Sequence, residues 1–501
     1  MTRSTNLAAI QPQTTALEVV RWAAEREVRL GIDDHFRLPR LSGTLLPRRL
    51  LTTTYYDTAH HHLAKSGIIL RRRVEHGLPT WHLTLPLIDD RLDIEAADRR
   101  PMPPTSLVDL LLLPLDRRPL IPVAMIRTRR SGVRVHGEHG PSADVTIDHA
   151  FVLRHGEVNQ RFRELKIQRI NGEDTILSDL ERQFRRAGAG DHDGRPKLLR
   201  ALSLHPIDVW SRPVPDAPVV VQLSRALARQ VQRLIAHDPG TRLGREPESL
   251  HQMRVATRQL RAILHAAQPL LASDWVGSFE DELAWLSQVL GPARDFDVQL
   301  DYVRNEMATL EARDRTPLIR YLEHLEAERE HIQDTLLKHL NSPRYLTLIH
   351  RLRTAPRHPV VVNPTLTLPD LAKREFKKLR KAIRSLGSSP NQALVHEVRI
   401  KTKRARYAAE LAEPVIGKPA ARFIKQASAL ADMLGVHQDA LQAETHVRAF
   451  LKHSTNVRAA FVAGRMVERQ RERRKEARKA VMPLAKRVLK RGRQAWLQKE
   501  R

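Results

Sequence analysis

The chain has 501 residues, and its 85 Lys and Arg against 57 Asp and Glu leave a formal net charge of +28. This length predicts two or three domains with a buried core, and the charge indicates a polyanionic partner such as nucleic acid, an anionic membrane or polyphosphate. The absence of cysteine excludes disulfides, thiolate zinc sites and cysteine nucleophiles. Aromatic residues make up only 4% of the chain, which disfavours stacking on single-stranded nucleic acid.

No long apolar segment opens the chain, and no apolar run reaches the roughly 18 residues that a membrane-spanning helix needs. We therefore expect no signal peptide, no transmembrane helix, no membrane partner and a cytoplasmic location. Residues 1–15 are expected to be disordered.

Residues 16–203 are predicted to form a β-rich domain, because short segments alternate charged with apolar or β-branched residues. Such alternation favours an antiparallel barrel with a polar interior. Helices are expected at 105–115 and at Asp174–Gly188. The predicted strands are Glu25–Leu30, Leu50–Asp57, Gly67–Glu75, Thr80–Ile88, Arg91–Ala97, Ala143–Leu153 and Phe162–Ile170.

The proline-dense segment 204–217 is predicted to be a linker, and residues 218–495 are predicted to be helical. The helical part contains a repeat, since LHQMRVATRQLRAIL from Leu250 corresponds to VHEVRIKTKRARYAAEL from Val395. His251 and His396 occupy matched positions at an offset of 145 residues, and the arginines that follow keep this offset. A constant offset over such a length marks a duplicated unit.

Within each copy the His and the cations fall at i, i+3, i+7 and i+10, within an arc of about 80° on one helix face. A single charged stripe is usually a solvated surface, but two matched stripes of repelling charges favour a bound anion. Lys373 and Lys377 are predicted to extend the cationic surface on the preceding helix. We expect the histidines to donate to an anion or to pack between bundles, and not to bind metal. The predicted stripe residues are His251, Arg254, Arg258 and Arg261, and then His396, Arg399, Lys403 and Arg406.

The pattern Leu-Gly-x-x-x-Asp follows each stripe and ends at Asp295 in the first copy and at Asp439 in the second. We expect a structural role for both aspartates, either as helix N-caps or in ion pairs with the stripe arginines.

The paired H-x-x-R helices with their trailing L-G-x-x-x-D resemble the CHAD domain, the conserved-histidine α-helical domain. The resemblance covers residues 218–495 and implies an all-α domain of two pseudo-symmetric helical bundles, 218–350 and 366–495. It also implies that the basic stripes face each other and bind inorganic polyphosphate, with possible association to polyphosphate granules.

The first domain resembles the CYTH family of triphosphate tunnel metalloenzymes. The resemblance rests on the E-x-E-x-R run at Glu25–Arg29, on Tyr56-Asp57-Thr58, on Leu70–Arg73 and on Leu83-Thr84-Leu85. It implies an eight-stranded antiparallel tunnel that precedes the helical domain. It further implies inward acids at Asp93, Glu95, Asp144 and Asp148, triphosphate binding by Arg29, Arg71, Arg73, Arg91 and Arg127, and Mg²⁺ or Mn²⁺ binding by Glu25, Glu27 and Glu164.

This chain departs from the family pattern at the last strand, where Lys166 and Gln168 stand in place of carboxylates, and at Pro86, which replaces a lysine. A lysine inside the tunnel would compete with a divalent cation for the remaining carboxylates. Three hypotheses follow: a polyphosphate-binding protein with a weak or inactive tunnel, an active metal-dependent inorganic triphosphatase whose helical domain adds substrate affinity, and a basic protein associated with nucleic acid. The scarcity of aromatic residues and the lack of a nucleic-acid motif disfavour the third.

Overall fold

The computed structural model describes residues 17–23, 27–86, 90–137, 140–171, 175–204, 217–386, 392–451 and 457–497. The chain divides into two compact units. The first contains the described residues up to 204 together with Ile235–Leu243, and the second contains the other described residues from 217 onward. The predicted disordered segment 1–15 and all but the ends of the predicted linker 204–217 lie outside the described residues.

A single antiparallel sheet dominates the first unit. Its described strands are β1 (Leu17–Ala23), β2 (Glu27–Ile32), β3 (Gly43–Asp57), β4 (Ile69–Glu75), β5 (Leu78–Pro86), β6 (Asp90–Ala96), β7 (Ile121–Gly137), β8 (Gly140–Arg154), β9 (Glu157–Arg169) and β10 (Gly190–Asp191). They pair in the order β1-β6-β5-β4-β3-β7-β8-β9-β2-β10. The described part of the sheet thus has more strands than the eight that the CYTH resemblance implied.

The sheet curls until its two ends meet. Strand β6 lies near one edge of the sheet and β2 near the other, yet Arg91 Nη2 on β6 is 3.2 Å from Glu27 Oε2 on β2. The strands therefore surround a polar interior, while apolar side chains such as Trp81 and Leu83 are fully buried on the outer face. This arrangement confirms the predicted antiparallel β architecture of the first domain.

Short helices pack against the sheet. They are α1 (His62–Lys65), α2 (Thr105–Val108), α3 (Leu112–Leu115), α4 (Thr175–Arg186) and α5 (Lys197–Ala201). Leu107 and Leu111 pack with Trp81 in one apolar cluster, and Phe184 packs with Leu165 in another. The predicted helix at 105–115 is divided into two short helices by a 3-10 turn.

The Tyr-Asp-Thr motif fixes the turn between β3 and α1. The buried carboxylate of Asp57 accepts hydrogen bonds from the backbone N–H groups of Thr58 (2.6 Å), Leu63 (2.9 Å) and Ala64 (2.8 Å). These bonds satisfy the amide groups at the start of α1, so Asp57 serves the fold and leaves no oxygen directed to the interior.

The second unit is all helical. Its helices are α6 (Val219–Leu243, whose last turns belong to the first unit), α7 (Pro247–Ala267), α8 (Ser273–Ala308), α9 (Ala312–Leu340), α10 (Pro343–Thr354), α11 (Leu368–Arg384), α12 (Gln392–Ile416), α13 (Lys418–Leu451) and α14 (Val457–Trp496). The two copies of the motif form α7 and α12, and each is followed by a long helix, α8 and α13 respectively. No described helix combines the length and apolar character needed to cross a bilayer.

Local sequence explains where these helices start. Pro247 occupies the first turn of α7, and the Glu246 side chain accepts a hydrogen bond from Glu248 N. Helix α11 begins with a capping box between Thr367 and Asp370. In α7 the apolar face buries Leu250, Met253 and Leu260, which leaves the cationic stripe on the other side.

Gly492 on α14 lies directly against the buried ring of Phe376 on α11, and a Cβ at this position would clash with that ring. Gly492→Ala should therefore reduce the free energy of unfolding of the helical unit by about 1–3 kcal/mol. Urea denaturation followed by circular dichroism at 222 nm measures this change.

Gly464→Ala on the same helix is the matched control, because Gly464 is exposed and its Cβ would have nothing within 4 Å. It should raise stability by up to about 1 kcal/mol through helix propensity. Equal effects at the two positions would contradict the packing of α14 on α11.

Candidate functional site

The first cationic stripe lies on α7 as the spacing predicts, although its members differ in exposure. His251, Arg254 and Arg258 are partly buried, while Arg261 is exposed. Arg254 Nη2 is 3.9 Å from Asp295 Oδ1 on α8, and its Nη1 is buried without a hydrogen-bond partner in the described structure. The stripe thus holds a guanidinium group with unused donor capacity.

The second stripe lies on α12. His396 is exposed, whereas Arg399, Lys403 and Arg406 are partly buried. Arg406 pairs with Glu410 at 3.2 Å. By contrast, Arg399 forms neither an ion pair nor a hydrogen bond with any described residue, and its Nε is buried. Arg399 is therefore the clearest candidate to bind an external anion.

The two stripes meet where α7 packs on α12. Arg258 Nε on α7 donates a hydrogen bond of 3.0 Å to Tyr407 Oη on α12. Burial, with the charges of Arg399, Arg258 and Arg406, lowers the pKa of Lys403 to about 8. Because Arg258 of the first copy contacts Tyr407 of the second, the two stripes lie next to each other, and we call them together the paired-stripe surface.

Neighbouring helices add cations that the motif spacing does not include. Burial and the charge of Arg294 on α8 lower the pKa of His251, and Arg294 stands inside the first Leu-Gly-x-x-x-Asp motif. On α6, Arg233 donates a hydrogen bond to Gln252 of α7, and its pKa is lowered by burial and by Arg229 and Arg258. Two further helices therefore contribute to the paired-stripe surface.

Lys373 and Lys377, which were predicted to extend this surface, are exposed on α11. The next position, Lys378, is half-buried and pairs with buried Glu375 at 2.5 Å. No described contact joins Lys373 or Lys377 to the paired-stripe surface, so their role remains a prediction.

The expectation of a helix N-cap at Asp295 and Asp439 is wrong, because both residues lie within α8 and α13, far from either helix start. The alternative of an ion pair fits Asp295, which lies 3.9 Å from Arg254. The glycine of the motif has a separate function, since a Cβ at Gly291 would be only 3.2 Å from Arg254 Nη1. Gly291 thus allows the guanidinium to lie against α8, and Asp295 one turn later orients it.

The curled sheet of the first unit encloses a second candidate site, a cavity of about 470 Å³. We call it the tunnel cavity. Residues from β2 to β9 and from α5 line it, with seven cationic and four acidic side chains. The cations are Arg29, Arg71, Arg73, Arg91, Arg130, Lys166 and Lys197, and the acids are Asp93, Glu95, Asp148 and Glu164.

Glu27 on β2 is paired with three of the cations that line the tunnel cavity. Glu27 is 2.6 Å from Arg29, 2.8 Å from Lys166 and 3.2 Å from Arg91. Burial alone would raise the pKa of Glu27, but the charges of Arg29, Lys166 and Arg91 lower it to about 2. Glu27 is therefore ionised and fully engaged by the chain itself.

Two further carboxylates share one lysine. Lys197 Nζ lies 2.5 Å from Asp148 Oδ2 and 3.2 Å from Glu164 Oε1, and Arg130 donates two hydrogen bonds of 2.7 Å to Asp148. Burial opposes ionisation of Asp148, but these cations hold its pKa well below the usual range. Burial likewise opposes ionisation of Glu164. The contact with His192 at 3.5 Å and the charge of Lys197 nevertheless lower the pKa of Glu164 to about 2.

On β4 the charges are not balanced. Arg71 and Arg73 line the cavity, and neither has an ion pair or hydrogen bond among the described residues, while the Nε of each is buried. Burial and Arg71 lower the pKa of Arg73 to about 10. Burial together with both arginines lowers the pKa of His82, on the adjacent strand, to about 3. His82 contacts Glu95 at 3.1 Å, whereas an anion next to Arg71 and Arg73 would supply the partners that these two arginines lack.

Two residues predicted for the tunnel cavity, Arg127 and Glu25, are not found in its described lining. Arg127 was predicted to bind phosphate, but it is exposed and does not line the cavity. In a strand, side chains alternate between faces, so Thr128 and Arg130 are the β7 residues that face inward. Glu25, predicted to bind metal, lies outside the described residues.

The described carboxylates do not fit a divalent metal site. Mg²⁺ and Mn²⁺ require several hard oxygen ligands that no other cation occupies. Here Glu27, Asp148 and Glu164 each contact at least two cationic side chains. Among the described residues there is no group of three or more potential metal ligands.

Sequence analysis missed Arg130 and Lys197. Arg130 lies in β7, a strand rich in charge that the alternation rule did not detect. Lys197 comes from the short helix α5, and only the fold brings it to Asp148 and Glu164. No local pattern marks Lys197, whereas a strand assignment for 121–137 would have identified Arg130.

The doubled helical unit with cationic stripes on α7 and α12 defines an all-α repeat domain, and known proteins share it. Residues 225–448 match the CHAD domain family, so this part of the chain is a CHAD domain. Two uncharacterised proteins of Mycobacterium tuberculosis are each 28% identical over 427 residues, which covers 77% of this chain and 79% of theirs.

Solved structures align with separate parts of the chain. PptA from Streptomyces chartreusis is 21% identical, with a TM-score of 0.45, and covers 54% of this chain and 100% of its own. The CHAD domain of the plant Ricinus communis is 22% identical, also with a TM-score of 0.45, and covers 55% of this chain and 94% of its own. A Hippeastrum protein described as a candidate adenylyl cyclase with a dominant triphosphatase activity is 15% identical, with a TM-score of 0.25. The alignment covers 35% of this chain and 94% of the Hippeastrum chain.

The lowered pKa of Lys403 predicts a pH-dependent penalty on folding. The folded protein holds this proton less tightly than the unfolded chain, so the penalty is complete below pH 8 and is relieved as the pH rises to 10.5. After allowance for solvent screening, Lys403→Met should stabilise the protein by about 1–2 kcal/mol at pH 7 and by almost nothing at pH 10.5.

Urea denaturation of both proteins at a series of pH values measures the difference. Lys381→Met, which removes an exposed charge from α11, controls for the change in net charge. A gain from Lys403→Met that does not vary with pH would contradict a strained cation on the paired-stripe surface.

Proposed function

We propose that the protein binds inorganic polyphosphate on the paired-stripe surface, and that the tunnel cavity binds a triphosphate or a short phosphate chain. The observation that carries the first part is Arg399, a partly buried guanidinium with no described ion pair or hydrogen bond, beside the strained ammonium of Lys403. Partly buried cations without an ion pair are destabilising, so an anion that binds to them stabilises the protein more than one that binds to solvated cations.

The chemistry of the surface suits a linear chain of phosphates. Planar guanidinium groups bind phosphate oxygens through two parallel hydrogen bonds, and a lysine contributes a compact point charge. The stripes run along α7 and α12 and meet at the contact between Arg258 and Tyr407. One extended polyanion could therefore contact both copies of the motif, which accounts for the duplication.

Catalysis by the helical unit is not part of this proposal. Among the described residues of the paired-stripe surface, the carboxylates Asp295, Glu410 and Asp439 lie within helices beside cations, and no nucleophile and base form a pair. The protein would thus retain polyphosphate and could associate with polyphosphate granules in the cytoplasm. Nucleic acid is a weaker candidate, because the described surface lacks an aromatic platform next to the stripes.

Polyphosphate binding should depend on salt, because each neutralised phosphate releases a counterion. Substitution of both Arg254 and Arg399 by Gln should weaken binding by about tenfold for each arginine. It should also reduce the slope of log affinity against log salt concentration by about 1.5, since each phosphate contact contributes roughly 0.7–0.9. Fluorescence anisotropy with end-labelled polyphosphate at several salt concentrations measures both quantities.

Arg357→Gln with Arg422→Gln is the matched control, because these arginines are exposed in the same unit outside both stripes and the substitution removes the same charge. Affinity and slope should then remain close to those of the unaltered protein. If both double variants lose affinity equally, binding depends on overall charge and the proposed surface is wrong.

A further inference from the structure

We propose that the tunnel cavity binds a short condensed phosphate without a divalent metal ion, because the ammonium groups of Lys166 and Lys197 take the place that such an ion would occupy among the carboxylates. The inference rests on the proposed function only for the class of ligand. It concerns a different unit and different residues from the paired-stripe surface.

Lys166 stands at the centre of the first carboxylate group. It projects from β9, where it pairs in register with Arg29 of β2, and its ammonium group is 2.8 Å from Glu27. Arg29 and Arg91 contact the same carboxylate. A divalent ion at this position would have to displace three fixed cations, and the repulsion between them and the ion would oppose its binding.

Lys197 has the same relation to the second carboxylate group. It enters from α5 and bridges Asp148 and Glu164, so one ammonium group contacts two carboxylates from neighbouring strands. A bridging metal ion would have a similar position. Because Arg130 and His192 also contact this pair, the negative charge of the group is already neutralised.

The phosphate chain would bind between the paired side and β4. Internal cations neutralise Glu27, Asp148 and Glu164. Arg71 and Arg73 form no ion pair with a described carboxylate, and Glu95 offsets the charge of Arg73 only from a distance. Magnesium would lower the charge of a free triphosphate and would weaken its attraction to these arginines. We therefore expect metal to compete with the cavity for the ligand, the opposite of its effect in a metal-dependent tunnel.

The same arrangement disfavours hydrolysis. Activation of water requires a bound metal ion or a carboxylate that can accept a proton near neutral pH. Burial raises the pKa values of Glu27 and Glu164, but nearby cations lower both to about 2. Both carboxylates are therefore weak bases. The tunnel cavity should hold the phosphate chain intact.

The test is calorimetric titration of the full chain with sodium tripolyphosphate, in EDTA and in excess Mg²⁺. The protein carries Arg254→Gln and Arg399→Gln, so that binding on the paired-stripe surface is suppressed. We expect one ligand per protein in EDTA, weaker binding in Mg²⁺, and a loss of at least about tenfold when Arg71 and Arg73 are both replaced by Gln. Arg127→Gln, which removes a charge from an exposed position on β7, should leave binding unchanged.

Lys166→Glu tests the role of the ammonium group directly. It exchanges the internal cation for a carboxylate beside Glu27, so tripolyphosphate binding should fail in EDTA and recover in Mg²⁺ or Mn²⁺. Electron paramagnetic resonance of added Mn²⁺, without phosphate, should show bound ion in this variant and none in its parent. Lys166→Met, which has no charge, should weaken tripolyphosphate binding in EDTA without creating a Mn²⁺ site. Recovery of binding by Lys166→Glu in Mg²⁺ checks that its loss in EDTA does not reflect misfolding.

Binding in the parent that requires Mg²⁺, or tight Mn²⁺ binding by the parent, would overturn the inference, and so would the absence of tripolyphosphate binding under both conditions. These outcomes are independent of the proposed function. The protein with intact stripes could fail to bind polyphosphate while the cavity still binds tripolyphosphate in EDTA. Conversely, the stripes could bind polyphosphate while the cavity fails to bind tripolyphosphate.

Discussion

The structure depends on cationic side chains that are held close together and away from water with too few carboxylates to neutralise them. Arg399 and Lys403 in the helical unit, and Arg71 and Arg73 in the β unit, are partly buried next to other cations. Such an arrangement destabilises the unliganded protein, since buried charge requires a partner. The fold supplies the compensating energy through its apolar cores, and an anion would supply the missing partner.

The two units reach this condition by different routes. In the helical unit, helix periodicity places one stripe on α7 and another on α12, and duplication brings both to a common surface. In the β unit, a curled sheet directs side chains from distant strands into one cavity. Most cations there form ion pairs with carboxylates, whereas the two arginines on β4 do not. The helical surface is suited to a long polyanion, whereas a cavity of about 470 Å³ admits only a short one.

The sequence predicted the helical stripes well because helix periodicity and an internal repeat supply two independent signals for the same residues. The β unit was harder. Arg127 was placed inside the tunnel although β7 itself was not predicted, and without the strand the alternation of faces could not be applied. A helix N-cap was one of two roles predicted for Asp295, but Gly291 provides space for Arg254 and the helix continues, so that only the ion pair with Arg254 fits. Lys197 reaches Asp148 only through the tertiary fold.

The most direct test of the account is competition between polyphosphate and duplex DNA for the protein at matched ionic strength and equal phosphate concentration. If facing stripes on α7 and α12 recognise a flexible linear chain of phosphates, unlabelled polyphosphate should displace labelled polyphosphate at a concentration at least about tenfold lower than DNA requires. If DNA displaces it equally well, the surface responds to negative charge alone, and the assignment of polyphosphate as its ligand is contradicted.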